Sequence, residues 1–402
     1  MNEIVHLLPA SVGAAGEVEV SIVIPTLNER VTVGEFVDRC LQGLARAGVT
    51  GQVLLVDSST DDTPAIALAH GAEVLRVPKR GLGRAYTDAT PYVRGRLVLM
   101  GDADLTYDFR EIAPFVEAWR RGAKFIMGSR FKGTIHDGSM PPLHRYFGTP
   151  LTTWILNRIY GGRFSDIHCG MRAVTREALV RMDIQSQSWE YASEMVLKAV
   201  RLGLRTSEVP IHFYKDREGR VSHHKRLGWR SPWMAGWINL KVMLVYAADK
   251  FLLPPGLALF ALGLPVCLAL RGGPRVMWGI GFQLHWLLFG MACCLTGFGL
   301  IQVGVFARFV EGLESERPSR ILRAITYNRG IATSLVLGAI GLGQLGRFAM
   351  QYVGSGLLLR EVSYPSLFAL FLLMLAFQCF GFALTLEICR RRFPRTGAGE
   401  GA

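Results

Sequence analysis

The sequence predicts two architectures in one chain: a doubly wound, mostly parallel α/β sheet, followed by an α-helical membrane bundle of four helices. Three observations carry this. Short aliphatic strands alternate with helical patterns over the first part of the chain. A polar cluster follows each of these runs, so the clusters gather at the carboxyl ends of the strands, where open α/β sheets bind ligands. Four apolar stretches close to spanning length fill the remainder.

Residues 1–17 read as a loose leader with no basic n-region and no long apolar core. No signal peptide is therefore expected, and the first domain should stay in the cytoplasm. Val20–Ile24 (VSIVI) is a short strand ending at Pro25, and PTLNER leads into a helical pattern over Val33–Ala47. Gln52–Val56 is a second buried strand closing on Asp57; SSTDDT follows, then a helix from Pro64, a residue suited to a first turn. Glu73–Val77 is the third strand, KRGLGRA opens a helix near Ala85, and Arg96–Met100 is the fourth strand. Phe125–Met127 and Val209–Phe213 are further strands.

The central stretch is Leu97–Asp108, LVLMGDADLTYD. Its apolar start has the character of a strand buried on both faces. It breaks at Gly101 into Asp102-Ala103-Asp104. Two carboxylates two residues apart are hard oxygen ligands, suited to Mg²⁺ or Mn²⁺ bridging to a substrate diphosphate. A bare D-x-D also suits a turn with solvated acids, and the company it keeps here favours the metal.

The net charge of +13 over 402 residues comes mostly from arginine. Such a balance raises nucleic acid as a partner. The basic residues border apolar spans instead of forming one patch, so a membrane surface and anionic substrates fit better and no nucleic acid is expected. The seven cysteines are odd in number and lie mostly in apolar runs, which argues for reduced thiols; no pair has zinc spacing.

PTLNE, VDSSTDDT, GLGRA, DADLTYD and GSRF, in this order, resemble the family 2 inverting glycosyltransferases, nucleotide-diphospho-sugar transferases of GT-A fold. The later runs SDIHCGMRAVTREAL, YASEMVLKA and EVPIHFYKDREGRVSHHK are similar to the polyprenyl-phosphate glycosyltransferases, the dolichyl-phosphate mannose and glucose synthase group. The resemblance runs over residues 20–250, and the Q-x-x-R-W motif of processive polysaccharide synthases does not occur. Two positions depart from the family pattern: Ser58 follows Asp57 where a second acid is usual, and Thr106 stands where many relatives have Gln.

The resemblance implies site residues. Pro25, Asn28, Glu29 and Asp57 would grip the nucleoside; ordinary turn capping is the alternative reading for Asn and Asp there. Gly81 and Gly83 would let backbone N–H groups approach the diphosphate at a helix start. Asp102 and Asp104 would hold the metal that neutralises the leaving group. Arg130, Arg145 and Thr149 would bind the acceptor phosphate, for which the planar guanidinium is suited. Arg145 and Thr149 are four apart in LHRYFGTPLTTW and so share a helical face; a surface carboxylate is the alternative partner for Arg145. Arg217, Arg220, Ser222 and Lys225 belong to a basic segment expected to close over donor and lipid phosphate. Asp166 is the candidate base, or else it orients Arg172 or the sugar, while Glu194 and Arg172 stand behind the sugar site. A phosphate monoester with its second pKa near ~6 is largely a dianion at neutral pH and hardly needs a base.

Trp229, Trp233 and Trp237 recur every four residues, marking residues 228–250 as an amphipathic helix in the membrane interface between a transferase domain at 18–227 and the membrane region at 251–392. The spans are expected at Phe251–Leu270, Trp278–Phe306, Ile331–Val353 and Tyr364–Cys389, with a tail at 393–402. Arginines concentrate in the second-to-third link and in the tail, which places both, with the N-terminal domain, in the cytoplasm. Gly297, Gly299, Gly338, Gly341 and Gly343 allow close helix packing. The expected activity is metal-dependent, inverting transfer of a hexose from UDP- or GDP-sugar to a polyprenyl phosphate lipid. A different lipid acceptor, or a non-catalytic scaffold, is the alternative, and a homo-oligomer stays open.

Overall fold

The computed structural model describes residues 4–10, 17–217, 241, 244–245, 247–310, 326–358 and 362–392. It divides into two compact units, one up to Val245 and one from Tyr246.

The first unit is built on an eight-stranded sheet: β1 (Val5–Leu7), β2 (Val20–Thr26), β3 (Gly51–Asp57), β4 (Glu73–Arg76), β5 (Leu97–Met100), β6 (Phe125–Ile135), β7 (Arg172–Thr175) and β8 (Thr206–Phe213). Their spatial order is β1-β4-β3-β2-β5-β7-β6-β8. The strands β4, β3, β2 and β5 pair in parallel, and β6 pairs with β8 in parallel. Strand β7 runs antiparallel to both its neighbours, and β1 runs antiparallel to β4. The sheet is mixed, with the parallel core the sequence implies. Ile22, Ile24, Leu54, Leu55, Leu97 and Val98 are fully buried, as continuous aliphatic runs must be when both faces of a sheet are covered. The cover includes α1 (Val33–Ala47), α2 (Thr63–Ala69), α3 (Leu82–Ala89), α4 (Ala113–Arg120), α5 (Thr149–Tyr160), α6 (Arg176–Met182) and α7 (Tyr191–Arg201). Helix α1 turns Val33, Phe36, Val37, Cys40 and Leu44 inward and stops at Gly48 in the left-handed region.

Two expectations change here. Residues 5–7 are not loose leader: Val5, His6 and Leu7 add an edge strand, and His6 reaches Glu73 at 3.1 Å. The helix expected across LHRYFGTPLTTW is in two parts, a wide π turn over His144–Gly148 and then α5, whose N1 position is filled by Thr149 before Pro150.

The second unit holds α8 (Ala248–Leu270), α9 (Leu284–Val310), α10 (Tyr327–Gly354) and α11 (Tyr364–Arg392), four helices long and apolar enough to cross a membrane. The second span begins at Leu284, not Trp278. Residues 275–282 instead form a β-hairpin, β9 (Arg275–Met277) and β10 (Ile280–Phe282), because Trp278 and Gly279 both take positive φ and turn the chain back. Helices α8 and α9 touch through glycine: a Cβ on Gly263 would stand 2.4 Å from the Gly290 carbonyl oxygen. Gly297 and Gly341 lie at such contacts, whereas Gly299 and Gly343 have nothing within 4 Å. Asp249 and Arg308 pair at 3.0 Å across α8 and α9. The interfacial helix expected at 228–250 falls largely outside the described residues.

Candidate active site

Register brings the polar clusters together. Thr26, Asp57 and Arg76 stand side by side at the carboxyl ends of β2, β3 and β4. Because β7 is antiparallel, it is its amino-terminal end that reaches the same edge. Arg172 lies beside Met100 of β5 and Met127 of β6, so the run 165–171 sits next to the loop that carries Asp102 and Asp104.

On the β2–β3–β4 side, Asp57 is buried and accepts from the Thr26 hydroxyl at 2.8 Å, the Ser59 amide at 3.1 Å and the Ser59 hydroxyl at 2.5 Å. Arg76 completes the set by pairing with its second oxygen. The carboxylate thus ties three strand ends to one another. Asn28 is in the left-handed region, which an asparagine tolerates. Its amide donates to the Ser59 hydroxyl at 2.7 Å and its side-chain oxygen accepts from the Thr60 amide at 2.9 Å. Glu29 is buried and its amide donates to Thr63 at 2.9 Å. Pro25 is half-buried within β2. These residues join the β2–α1 and β3–α2 loops into one surface.

The Gly81–Gly83 turn is not open. A Cβ on Gly81 would stand 2.2 Å from the Gln187 carbonyl oxygen, and one on Gly83 would stand 2.2 Å from that of Ser186. The Arg84 amide donates to Gln187 at 3.1 Å. The missing side chains admit the loop before α7. That loop is pinned in turn by Glu194, fully buried, which accepts from the Gln185 and Ser186 amides at 2.9 and 2.7 Å and pairs with Lys198 at 2.6 Å. Burial pushes the Glu194 carboxyl up, but the Lys198 ammonium and the loop amides more than offset this and hold it below the usual range.

At the D-x-D loop, Asp104 accepts from the Thr106 amide at 3.0 Å and the Thr106 hydroxyl at 2.6 Å, with Leu105 between them at φ 63. The Thr106 amide and hydroxyl therefore orient the carboxylate. Asp102 lies against Gly170, whose Cβ would stand 2.7 Å from its Oδ2. The Gly170 amide donates to the Tyr107 hydroxyl at 2.9 Å, and the Tyr107 ring packs on Phe213 at 5.3 Å between centroids. Phe213 also lies 5.2 Å beneath the Arg130 guanidinium.

Arg130 and Asp166 form a fork-to-fork pair. Nε donates to Oδ2 at 2.6 Å, Nη2 to Oδ1 at 2.8 Å, and the Arg130 amide adds a third bond at 3.2 Å. Asp166 is fully buried; burial raises its pKa, but the Arg130 guanidinium more than offsets this and leaves it below the usual carboxylate range. Burial works against the charge on Arg130 as well, and Asp166 reverses that too. Asp166 thus orients Arg130, not Arg172. Arg172 donates to the carbonyls of Ala192 at 2.8 Å and Cys169 at 2.5 Å and stacks over Tyr191, a buried strut behind the loop. His168, beside the pair, has its Nε2 2.7 Å from the Thr152 hydroxyl, and burial lowers its pKa to about 4.

Arg145 is half-buried over the Tyr146 ring at 5.6 Å, and Thr149 is buried at the start of α5. Arg217 is exposed and pairs with Glu35 on α1. Ser222, Lys225 and Arg220 lie outside the described residues. Tyr107, Phe213, Ser59 and Arg76 were not singled out by sequence reasoning, although Tyr107 sits inside DLTYD and Phe213 closes the last strand.

Among the described residues no three His, Cys, Asp or Glu side chains converge as a metal cage. Two adjacent carboxylates, one held by a threonine, still fit a hard divalent cation whose remaining ligands are substrate phosphates and water, the usual habit of Mg²⁺.

The description of glycosyl transferase family 2 matches residues 21–182. The chain is 36% identical over 341 residues to the low-salt glycan biosynthesis hexosyltransferase Agl6 of Haloferax volcanii, covering 84% of this chain and 80% of that protein. It is 30% identical over 207 residues to a dolichyl-phosphate hexose transferase of the same organism, covering 50% of this chain and 86% of that one. Among solved structures it is similar to mannosyl-3-phosphoglycerate synthase from Rubrobacter xylanophilus, with 25% identity, a TM-score of 0.43, and cover of 56% of this chain and 74% of that one.

Proposed function

The chain belongs to glycosyl transferase family 2, with a GT-A-like mixed sheet and four candidate membrane spans, and on that premise we propose that it transfers a hexosyl group from a nucleotide sugar to a polyprenyl phosphate. The observation that carries the acceptor is the Arg130–Asp166 pair. An alcohol acceptor must lose a proton to a base, and the one carboxylate in the expected position is held ionised, below the usual range, by a guanidinium. A phosphate dianion needs no such base. The similarity to a dolichyl-phosphate hexose transferase supports the same acceptor.

In this reading an oxygen of the lipid phosphate attacks the anomeric carbon as the bond to the nucleoside diphosphate breaks, inverting the centre, and no protein proton is consumed. Arg130, fixed by Asp166 and Phe213, holds the incoming phosphate, with Arg145 and Thr149 as further contacts. Asn28, Glu29 and Pro25 form the nucleoside surface, and Asp57 keeps it in shape. Glu194 and Arg172 hold the loop over Gly81 and Gly83 and so shape the sugar's surroundings. Asp102 and Asp104 would hold a divalent cation, which supplies charge neutralisation to the departing diphosphate. The arginines after the second span and in the tail support a cytoplasmic placement of the transferase domain.

The test is transfer of label from a panel of nucleotide sugars to undecaprenyl phosphate by protein in detergent, with and without EDTA. Activity is expected with one donor, lost on chelation, restored by Mn²⁺ or Mg²⁺, and absent in Asp104→Ala. Thr106→Val should raise the metal concentration for half-activity about tenfold by removing the hydroxyl that orients Asp104.

A further inference from the structure

We infer that the β9–β10 hairpin is an interfacial anchor, seated with its tip among the lipid headgroups at the membrane face where α8 ends and α9 begins. Among the described residues, nothing in the second unit covers that tip. Trp278 is 90% exposed, Val276 76% and Ile280 55%, an apolar cluster raised on a two-residue turn. Trp278 holds φ 53 at the first turn position. That left-handed conformation is usual for Asn or Gly and unfavourable for a bulky ring, so the turn spends local strain to present an indole outward.

The occupant follows from continuity with the spans. Leu270 ends α8 and Leu284 opens α9, and the two helices pack as an antiparallel pair through Gly263 and Gly290. Their connection is therefore held at the bilayer edge. From the hairpin an aromatic ladder runs down into α9: Phe282 lies 5.1 Å from Trp286, which lies 6.0 Å from Phe289. Trp286 and Phe289 are 42% and 47% exposed. The same end of the bundle carries Phe348 and Tyr352, stacked at 6.3 Å near the close of α10. Bulky aromatics at one level of several spans mark the headgroup layer, where a ring with an apolar body and a polar N–H is best placed. Arg271 and Arg275 flank the tip and suit lipid phosphates at that level.

This rests on α8 and α9 spanning the bilayer, and the test separates the two statements. Trp278→Cys, in the full chain, is labelled with an environment-sensitive fluorophore and reconstituted in lipid nanodiscs; Val276→Cys serves if the first variant misfolds. Leu288→Cys, on the 45%-exposed lipid-facing side of α9, reports the span itself, and wild-type protein treated alike gives the background of the native thiols. The expected result at 278 is blue-shifted emission, quenched several-fold more by lipids bearing a nitroxide near the headgroup than by aqueous iodide. Strong iodide quenching at 278 with lipid quenching at 288 would overturn the anchor and leave the span. Iodide quenching at both positions would overturn the span as well. A probe at 278 shielded from both quenchers means that protein, for instance a second copy, covers the tip, and also overturns the anchor.

Discussion

Asp166 is the residue on which two chemistries divide. It is bonded to Arg130 through both oxygens, and in the proposed reading it acts through the guanidinium and not on the acceptor. Asp166→Asn should lower kcat/KM for a lipid phosphate roughly a hundredfold, about 3 kcal/mol, because an amide presents a donor to a donor. The acidic limb of the rate profile, set near ~6 by the acceptor phosphate, should stay where it is. A limb that disappears with Asp166 would make that carboxylate a base. His168 gives a stability signature instead. Its folded pKa of about 4 lies below the unfolded value near ~6.5, so between these the unfolded chain binds more protons and stability falls as pH falls. The loss should amount to at most about 3 kcal/mol, and His168→Gln should flatten the midpoint of thermal unfolding between pH 7 and pH 4.5. Sequence reasoning reached Asp102, Asp104, Arg130 and Asp166 because each sits in a short motif with a chemical reason for its residue type. It did not reach the Tyr107–Phe213 stack or which arginine Asp166 holds. Those pairings join segments more than a hundred residues apart in some cases, and only the register of β6, β7 and β8 decides them.

Among the elements, the loop before α7 and the turn into α3 act as one piece. Glu194 grips the loop amides and the loop carbonyls fill the space left by Gly81 and Gly83. Glu194→Ala leaves the Gln185 and Ser186 amide donors without their acceptor and removes the ion pair with Lys198, and should cost roughly 2–4 kcal/mol by thermal unfolding. Gly83→Ala, which drives a methyl into a carbonyl, should raise KM for the nucleotide sugar with less effect on the lipid phosphate; equal effects on both would detach this loop from the donor side. The parallel strands and α1 were legible because both-face burial writes continuous aliphatic runs and a one-face helix writes a stripe. Strand direction writes neither, so the reversed β7 escaped, and with it the reason that residues 165–171 face the D-x-D loop. The hairpin at 275–282 escaped because Trp, Ile and Phe read equally as the start of an apolar span.

At the scale of the whole chain, a mixed-sheet transferase unit is joined to a unit of four candidate spans, the arrangement expected where a soluble donor meets a lipid acceptor. The spans hold together by close backbone approach, so Gly263→Leu should disperse the α8–α9 pair and leave protein that aggregates on detergent extraction while nucleotide still binds. The account's central claim is that the acceptor is a lipid phosphate. It is tested most directly by offering purified protein undecaprenyl phosphate and undecaprenol side by side, with each labelled nucleotide sugar in turn, and following label into the organic phase. Transfer to the phosphate alone, lost in Arg130→Ala, is the predicted result. Transfer to the alcohol at a comparable rate, or to neither lipid by protein that binds the nucleotide, would contradict it.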